Sequence, residues 1–276
     1  MNCNIRTSLT VIKEIIGDAP FLFEGTFPEG IAYAHSLGYD CVELHSTDPE
    51  ELGDPGIEAA LRENGMQISA LGTGRLYVNA GLSLTSDDPQ NRSEAVAAMM
   101  RYIDAASRFD CLVIIGCVRG NVPSKDAYEE TIALLGESMT KLDEYARQKQ
   151  VTMVFEPINR YENNYLCNTY EIADFIRRFD LTNIRMMIDT FHMNIEEVDI
   201  LQAIRDNMDY IRYVHFADSN RWWPGKGHLD FTSIVDVLIK NGYNGIISAE
   251  CLPLPSKEAA AGEWIRSVRG MLDNYE

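Results

Sequence analysis

The stretch Val151–Glu162, V-T-M-V-F-E-P-I-N-R-Y-E, decides how the rest of the chain is read. Its apolar, β-branched opening reads as a buried strand. Pro157 cannot donate to a sheet ladder, so the strand is predicted to stop at Glu156 and the chain to turn away. A carboxylate is thereby left at the carboxyl end of a strand, where α/β proteins place their chemistry.

Working outward, strand-like and helix-like segments alternate along the whole sequence. Before the opening stretch, strands are predicted at Ile5–Thr10, Tyr39–His45, Met66–Leu71 and Cys111–Cys117. Helices are predicted at Glu24–Leu37 (closed by Gly38), Pro55–Asn64, Asp88–Phe109 and Lys125–Gln148, the last with Leu134, Leu135, Met139, Leu142 and Tyr145 on one face. After it come strands at Ile184–Asp189, Tyr210–Phe216 and Ile246–Glu250, and helices at Thr169–Phe179, Ile195–Asn207, Phe231–Asn241 and Ser256–Leu272. Arg75–Pro89, rich in Gly, Ser, Asp and Asn, reads as a long functional loop, with Gly72-Thr73-Gly74 a tight turn beneath it. Eight strands and eight helices in alternation predict an α/β fold, a (β/α)8 TIM barrel in one domain spanning 1–276. An open doubly wound sheet is the alternative, which eight uninterrupted repeats disfavour.

The chain has 276 residues, enough for a barrel of about 250 residues. Its net charge of -18 disfavours a nucleic-acid partner, which requires a basic face. The six cysteines (Cys3, Cys41, Cys111, Cys117, Cys167, Cys251) are scattered, with no C-x-x-C pair. Neither a disulfide framework nor a zinc knot is expected, and a reducing, cytoplasmic location fits best. The N-terminal residues M-N-C-N-I-R-T predict no signal peptide, and no run of about 18 apolar residues predicts a membrane span.

Four late strands end in residues that ligate metals: Glu156, Asp189 in M-M-I-D-T-F-H-M, His215 in Y-V-H-F, and Glu250 in I-I-S-A-E-C. In a barrel these ends neighbour one another on one rim. Two Glu, one Asp and one His form a mixed oxygen and nitrogen set suited to one divalent ion: Mn²⁺ first, with Mg²⁺, Co²⁺ or Zn²⁺ as alternatives.

The motifs E-P-I-N-R-Y-E, D-T-F-H-M-N-I-E-E, H-F-A-D-S-N-R and A-E-C-L-P resemble the xylose-isomerase-like sugar isomerase and epimerase superfamily. Within it the resemblance is to the ketose 3-epimerases acting on D-tagatose and D-psicose. The stretches L-G-T-G-R-L-Y with G-L-S-L-T, V-I-I-G-C-V-R-G and D-S-N-R-W-W-P-G-K-G-H-L-D-F are similar to the 5-keto-L-gluconate epimerase type. The resemblance implies that Glu156, Asp189, His215 and Glu250 hold one metal and that Glu156 and Glu250 also form the catalytic acid/base pair. It implies C3-type epimerisation of a ketose or keto sugar acid through an enediolate held on the metal, one carboxylate removing a proton and the other returning one to the opposite face. Glu162, His192 and Arg221 match family positions that contact the substrate. Relatives form homo-oligomers, and the same is expected here.

Further residues carry two readings each. Arg75 and Arg119 follow strands, either as clamps for a substrate carboxylate or as surface ion pairs. Asp218 is either a partner that orients the metal histidine or a plain loop acid. Trp222-Trp223-Pro224 and Tyr77 either wall a sugar or pack an interface, and His228 is either a substrate contact or a loop residue. His35 and His45 read as structural. On the same scaffold, the alternatives are an aldose–ketose or hydroxypyruvate isomerase, an inosose dehydratase, and an endonuclease IV-like nuclease. The nuclease needs more histidine ligands than five histidines with one at a late strand end supply. A non-enzymatic sugar-binding barrel has no need of two opposed carboxylates on a metal.

Overall fold

A computed structural model describes residues 4–15 and 19–275. Cys3 lies outside the described residues. The first half contains β1 (Arg6–Ile12), β2 (Phe23–Glu24), α1 (Phe27–Leu37), β3 (Cys41–His45), α2 (Pro55–Asn64), β4 (Gln67–Gly72), α3 (Gly74–Ala80), α4 (Pro89–Phe109), β5 (Leu112–Ile115) and α5 (Tyr128–Lys149). The second half contains β6 (Met153–Phe155), α6 (Thr169–Arg178), β7 (Ile184–Asp189), α7 (Thr190–Glu196), α8 (Ile200–Asn207), β8 (Ile211–His215), α9 (Phe231–Lys240), β9 (Ile246–Ala249) and α10 (Lys257–Leu272). All strands join one sheet in the order β2-β1-β3-β4-β5-β6-β7-β8-β9, and β1 also pairs with β9. That second pairing closes eight of the strands into the (β/α)8 barrel predicted from the sequence, with β2 as a short addition.

The residues group into two compact units. In the first, Met1–Leu44, Pro55–Ser69 and Met187–Glu276, β1 and β8 flank β9 in parallel, Leu9 opposite Ala249 and His215 opposite Ser248. Its outer cover includes α1, which buries Phe27, Ile31 and Ala34 at helical spacing, and α10, which buries Ala261, Trp264, Ile265 and Val268. Tyr39 stacks on Trp264, whose indole N–H donates to the Phe216 carbonyl at 2.9 Å. That bond ties α10 to the segment just beyond β8.

In the second unit, His45–Asp54 and Ala70–Met186, β4, β5, β6 and β7 pair in parallel, with Ile115 opposite Phe155 and Phe155 opposite Met186. Buried Asp143 on α5 accepts the backbone N–H groups of Asn183 and Ile184 at 2.7 and 2.8 Å, fixing where β7 starts. On the predicted face of α5, Leu135, Met139 and Leu142 are buried, while Leu134 and Tyr145 are half-buried.

Three predicted elements differ from the fold, each for a local reason. The first helix begins at Phe27 rather than Glu24, because Thr26 and Glu29 form a capping box with Pro28 in the first turn. The predicted loop Arg75–Pro89 contains α3, and Gly72-Thr73-Gly74 is not a free turn but the end of β4 running into that helix. The predicted helix Ile195–Asn207 is two helices, α7 starting straight after β7 and α8 capped separately by Asp199. Among the described residues no helix is long and apolar enough to cross a membrane. The five described cysteines are free thiols.

Candidate metal centre

β7, β8 and β9 each carry a ligand-type side chain at or just beyond the carboxyl end. Asp189 ends β7 and caps α7: its Oδ1 accepts the Phe191 N–H at 2.7 Å. The other oxygen, Oδ2, is buried and makes no hydrogen bond. His215 ends β8 with its ring 1% exposed, and its Nδ1 is likewise buried without a hydrogen bond. That nitrogen lies 3.4 Å from Glu250 Oε2 and 4.0 Å from Asp189 Oδ2. One ligand atom from each of the three residues falls within 4.8 Å of the others. Buried polar atoms normally find partners, and a convergent oxygen, nitrogen and oxygen set with two unfilled atoms has the chemistry of a divalent-cation site.

The electrostatics agree. Burial pushes Asp189 well up, and the charge of nearby Glu250 pushes it further. Burial alone would raise Glu250, but the charge of His215, and then that of Arg221, hold it low. Burial pulls the His215 imidazole down, and the carboxylates of Glu43 and Glu250 overcome that and hold it well above its ordinary value. A cation among these groups relieves the repulsion between the acids and favours neutral histidine, so the residues fit the ion that the sequence implied.

Glu43 was not among the predicted site residues. It lies on β3, fully buried, with Oε2 2.9 Å from His215 Nε2 and 2.7 Å from the Tyr213 hydroxyl, which donates to it. One signal in the sequence points to it: an acid alternating with apolar residues inside Y-D-C-V-E-L-H, on the face that Cys41 also takes.

Arg221 follows β8 with a positive φ of 62°, its Nη2 3.6 Å from Glu250 Oε2 and its guanidinium 4.8 Å from the Phe191 ring centre. His192 is buried on α7, its Nε2 4.0 Å from Asp189 Oδ2. Thr190 binds α7 to the segment after β8, donating to the Ala217 carbonyl at 2.7 Å and accepting its N–H at 3.0 Å. Asp218 uses its carboxylate within its own loop. It takes the N–H groups of Ser219 and Leu229 on Oδ1 and of Gly225 on Oδ2, at 2.7, 3.1 and 2.8 Å. Asp218 is therefore a loop organiser, and Gly227 must be glycine, since a Cβ there would sit 2.2 Å from Asp218 Oδ1. His228 bonds Ser219 Oγ at 2.9 Å in the same loop, and Trp223 is buried beside Pro224, whose carbonyl accepts from Ser267 on α10.

In the second unit, Glu156 follows β6, its N–H still in the ladder with the Ile115 carbonyl at 3.1 Å. Its side chain is buried, and Gly116 makes room for it, since a Cβ there would meet Glu156 Oε2 at 3.2 Å. The next residues form a tight turn. Asn159 accepts the Tyr161 N–H at 2.9 Å and donates to Glu162 Oε1 at 3.0 Å, which fixes exposed Glu162. Arg75 is buried on α3.

Arg119 is neither an open clamp nor a surface ion pair, because it is fully buried. Its Nη1 donates at 3.1 Å to the backbone carbonyls of Glu156 and Leu166, and its guanidinium lies 5.3 and 5.4 Å from the rings of Phe155 and Tyr165. The loop after β6 folds over it, and burial lowers its basicity. His45 packs on Gly72, in keeping with a structural role, and His35 is exposed near the end of α1.

A family model described as the xylose isomerase-like TIM barrel matches residues 31–268. The D-psicose 3-epimerase of Ruminiclostridium cellulolyticum is 32% identical over 238 residues, 83% of this chain and 79% of the relative. The 3-dehydro-D-guloside 4-epimerase of Escherichia coli is 32% identical over 117 residues, 42% of this chain and 45% of that protein. The crystal structure of D-allulose 3-epimerase from Methylomonas sp. in complex with D-allulose superposes with a TM-score of 0.82 at 22% identity, covering 97% of each chain. This chain belongs to the xylose isomerase-like TIM barrel family.

Proposed function

We propose that the chain, as a single domain over 1–276, is a metal-dependent epimerase of a free ketose or keto sugar acid. The observation that carries this reading is the convergent Asp189, His215 and Glu250 set, with a buried unfilled oxygen and a buried unfilled nitrogen, in a chain 32% identical to a D-psicose 3-epimerase. Glu156 is the fourth proposed ligand, at the strand end where the motif E-P-I-N-R-Y-E begins. Such a set suits Mn²⁺ best. A divalent ion held there supplies Lewis-acid polarisation of a carbonyl, which makes the neighbouring C–H acidic.

The chain's own residues do the proton work. Glu156 and Glu250 form the acid/base pair, one taking the proton beside the carbonyl and the other returning one to the opposite face. Arg221, which faces Glu250, and His192 hold substrate oxygens, and Glu162 holds a hydroxyl from the turn that Asn159 sets. Arg75 remains the proposed contact for a substrate carboxylate. Arg119 acts instead as the brace behind Glu156, through the backbone carbonyl it holds. C3 is the proposed reacting centre. C4 is the second reading, favoured by the 3-dehydro-D-guloside 4-epimerase relative. The enzyme is proposed to be cytoplasmic and homo-oligomeric and, at a net charge of -18, without a nucleic-acid partner.

The test is stripping and reconstitution. Protein treated with chelator is incubated with D-psicose, D-tagatose, L-ribulose and 5-keto-gluconate, before and after Mn²⁺, Mg²⁺, Co²⁺ or Zn²⁺ is restored. Epimer formation that disappears on stripping and returns with the ion is the expected result. Full activity in the stripped protein sinks the reading.

A further inference from the structure

The metal-centre reading leaves Glu43 without a task, although it is fully buried against His215. A carboxylate wholly withdrawn from water is expensive to keep ionised unless donors surround it. Glu43 has them. On β8, Tyr213 and His215 alternate with Val214 and so project to the same face of the strand, and both reach one Glu43 oxygen. The Tyr213 hydroxyl donates at 2.7 Å and meets Ser69 Oγ at 2.8 Å, and Ser69 Oγ in turn meets Ser8 Oγ at 2.7 Å. A buried file of polar side chains thus runs from β1 through β4, β8 and β3 to the imidazole.

The Tyr213 hydroxyl donates to Glu43, as it would to an ionised carboxylate, and that bears on the ring beside it. An ionised carboxylate only accepts, so His215 Nε2, 2.9 Å from Glu43, must carry the hydrogen. The lone pair of a neutral ring then belongs to Nδ1, the nitrogen that faces Asp189 and Glu250 and makes no hydrogen bond.

We propose that Glu43 is the positioning residue of the centre: it locks His215 as the Nε2–H tautomer, aims Nδ1 at the cation, and is itself held in place by Tyr213. This rests on His215 being a metal ligand. Removing such a partner frees the ring to rotate and to shift its hydrogen to the ligating nitrogen, and typically weakens metal binding or activity by about 10- to 100-fold.

Two measurements test it, both on the full chain with the metal alone. Mn²⁺ titration calorimetry compares wild type with Glu43→Gln, Glu43→Leu, Tyr213→Phe and His215→Ala, each checked for fold by circular dichroism. Glu43→Gln is close to isosteric and decides the matter if Glu43→Leu does not fold. Expected is Mn²⁺ binding about 10- to 100-fold weaker in both Glu43 variants, and a smaller loss in Tyr213→Phe. Nitrogen-15 imidazole spectra of the Mg²⁺-loaded wild type are expected to place the His215 hydrogen on Nε2. A hydrogen on Nδ1, or Glu43 variants that bind Mn²⁺ like wild type while His215→Ala does not, overturns the role of Glu43 alone. Mn²⁺ binding that is absent in wild type, or unchanged in His215→Ala, overturns the metal-centre reading and the proposal together.

Discussion

At the scale of single residues, the proposed chemistry rests on two glutamates, Glu156 and Glu250. Glu250 sits against His215 and Arg221, which hold its carboxylate low and therefore ionised. Glu156 is buried at a strand end with Gly116 leaving space for it. General acid–base catalysis contributes about 10²- to 10⁴-fold, so Glu156→Gln and Glu250→Gln are each expected to lower kcat by about that factor. Thermal unfolding scans are expected to show both variants folded. Activity within about tenfold of wild type in either variant removes that glutamate from the acid/base pair. The strand-end positions of Glu156, Asp189, His215 and Glu250 were legible because each stands where an apolar strand run stops. Glu43 was not, because its partners lie 170 and 172 residues away in sequence and nothing local announces Tyr213 or His215 as its neighbours. Arg119 was misplaced for the converse reason: an arginine after a strand looks exposed, and only the loop after β6 closing over it shows otherwise.

Among the elements, the segment from Ala217 to Asp230 depends on one acid. Asp218 is buried, and the backbone N–H groups of Gly227, Ser219, Leu229 and Gly225 that bond it outweigh burial and keep its carboxylate below the ordinary range. A depressed value means stability that is present above the unfolded carboxyl value near ~3.9 and lost as pH falls into the folded-state titration. Asp218→Ala leaves buried donors unpaired and is expected to cost about 1–3 kcal/mol in urea unfolding at pH 7. The gap to wild type is expected to shrink as pH falls below about 4. A gap that is constant from pH 7 to pH 3 contradicts the assignment. Element types were legible almost throughout, since strand and helix periodicities differ so strongly. The errors fell where capping chemistry overrides periodicity. Thr26 and Glu29 delay α1, and Asp189 starts a helix directly off the strand it ends.

For the whole molecule, the barrel was legible from the count of alternating segments, and the β1–β9 pairing bears it out. The repeated βα unit carries that information locally, because each strand must be covered by the helix that follows it. Substrate identity is not carried this way, since on the proposed reading it depends on side chains such as Arg75, Glu162 and Arg221, whose surroundings no repeat dictates. The most direct measurement of the central claim is solvent proton exchange. The Mn²⁺-loaded protein is incubated in D₂O with free ketoses and keto sugar acids, and deuterium is located by NMR. Epimerisation by two opposed glutamates leaves deuterium at the inverted carbon beside the carbonyl, with a new epimer and no aldose. Aldose formation, or an epimer that carries no deuterium in every case, contradicts it.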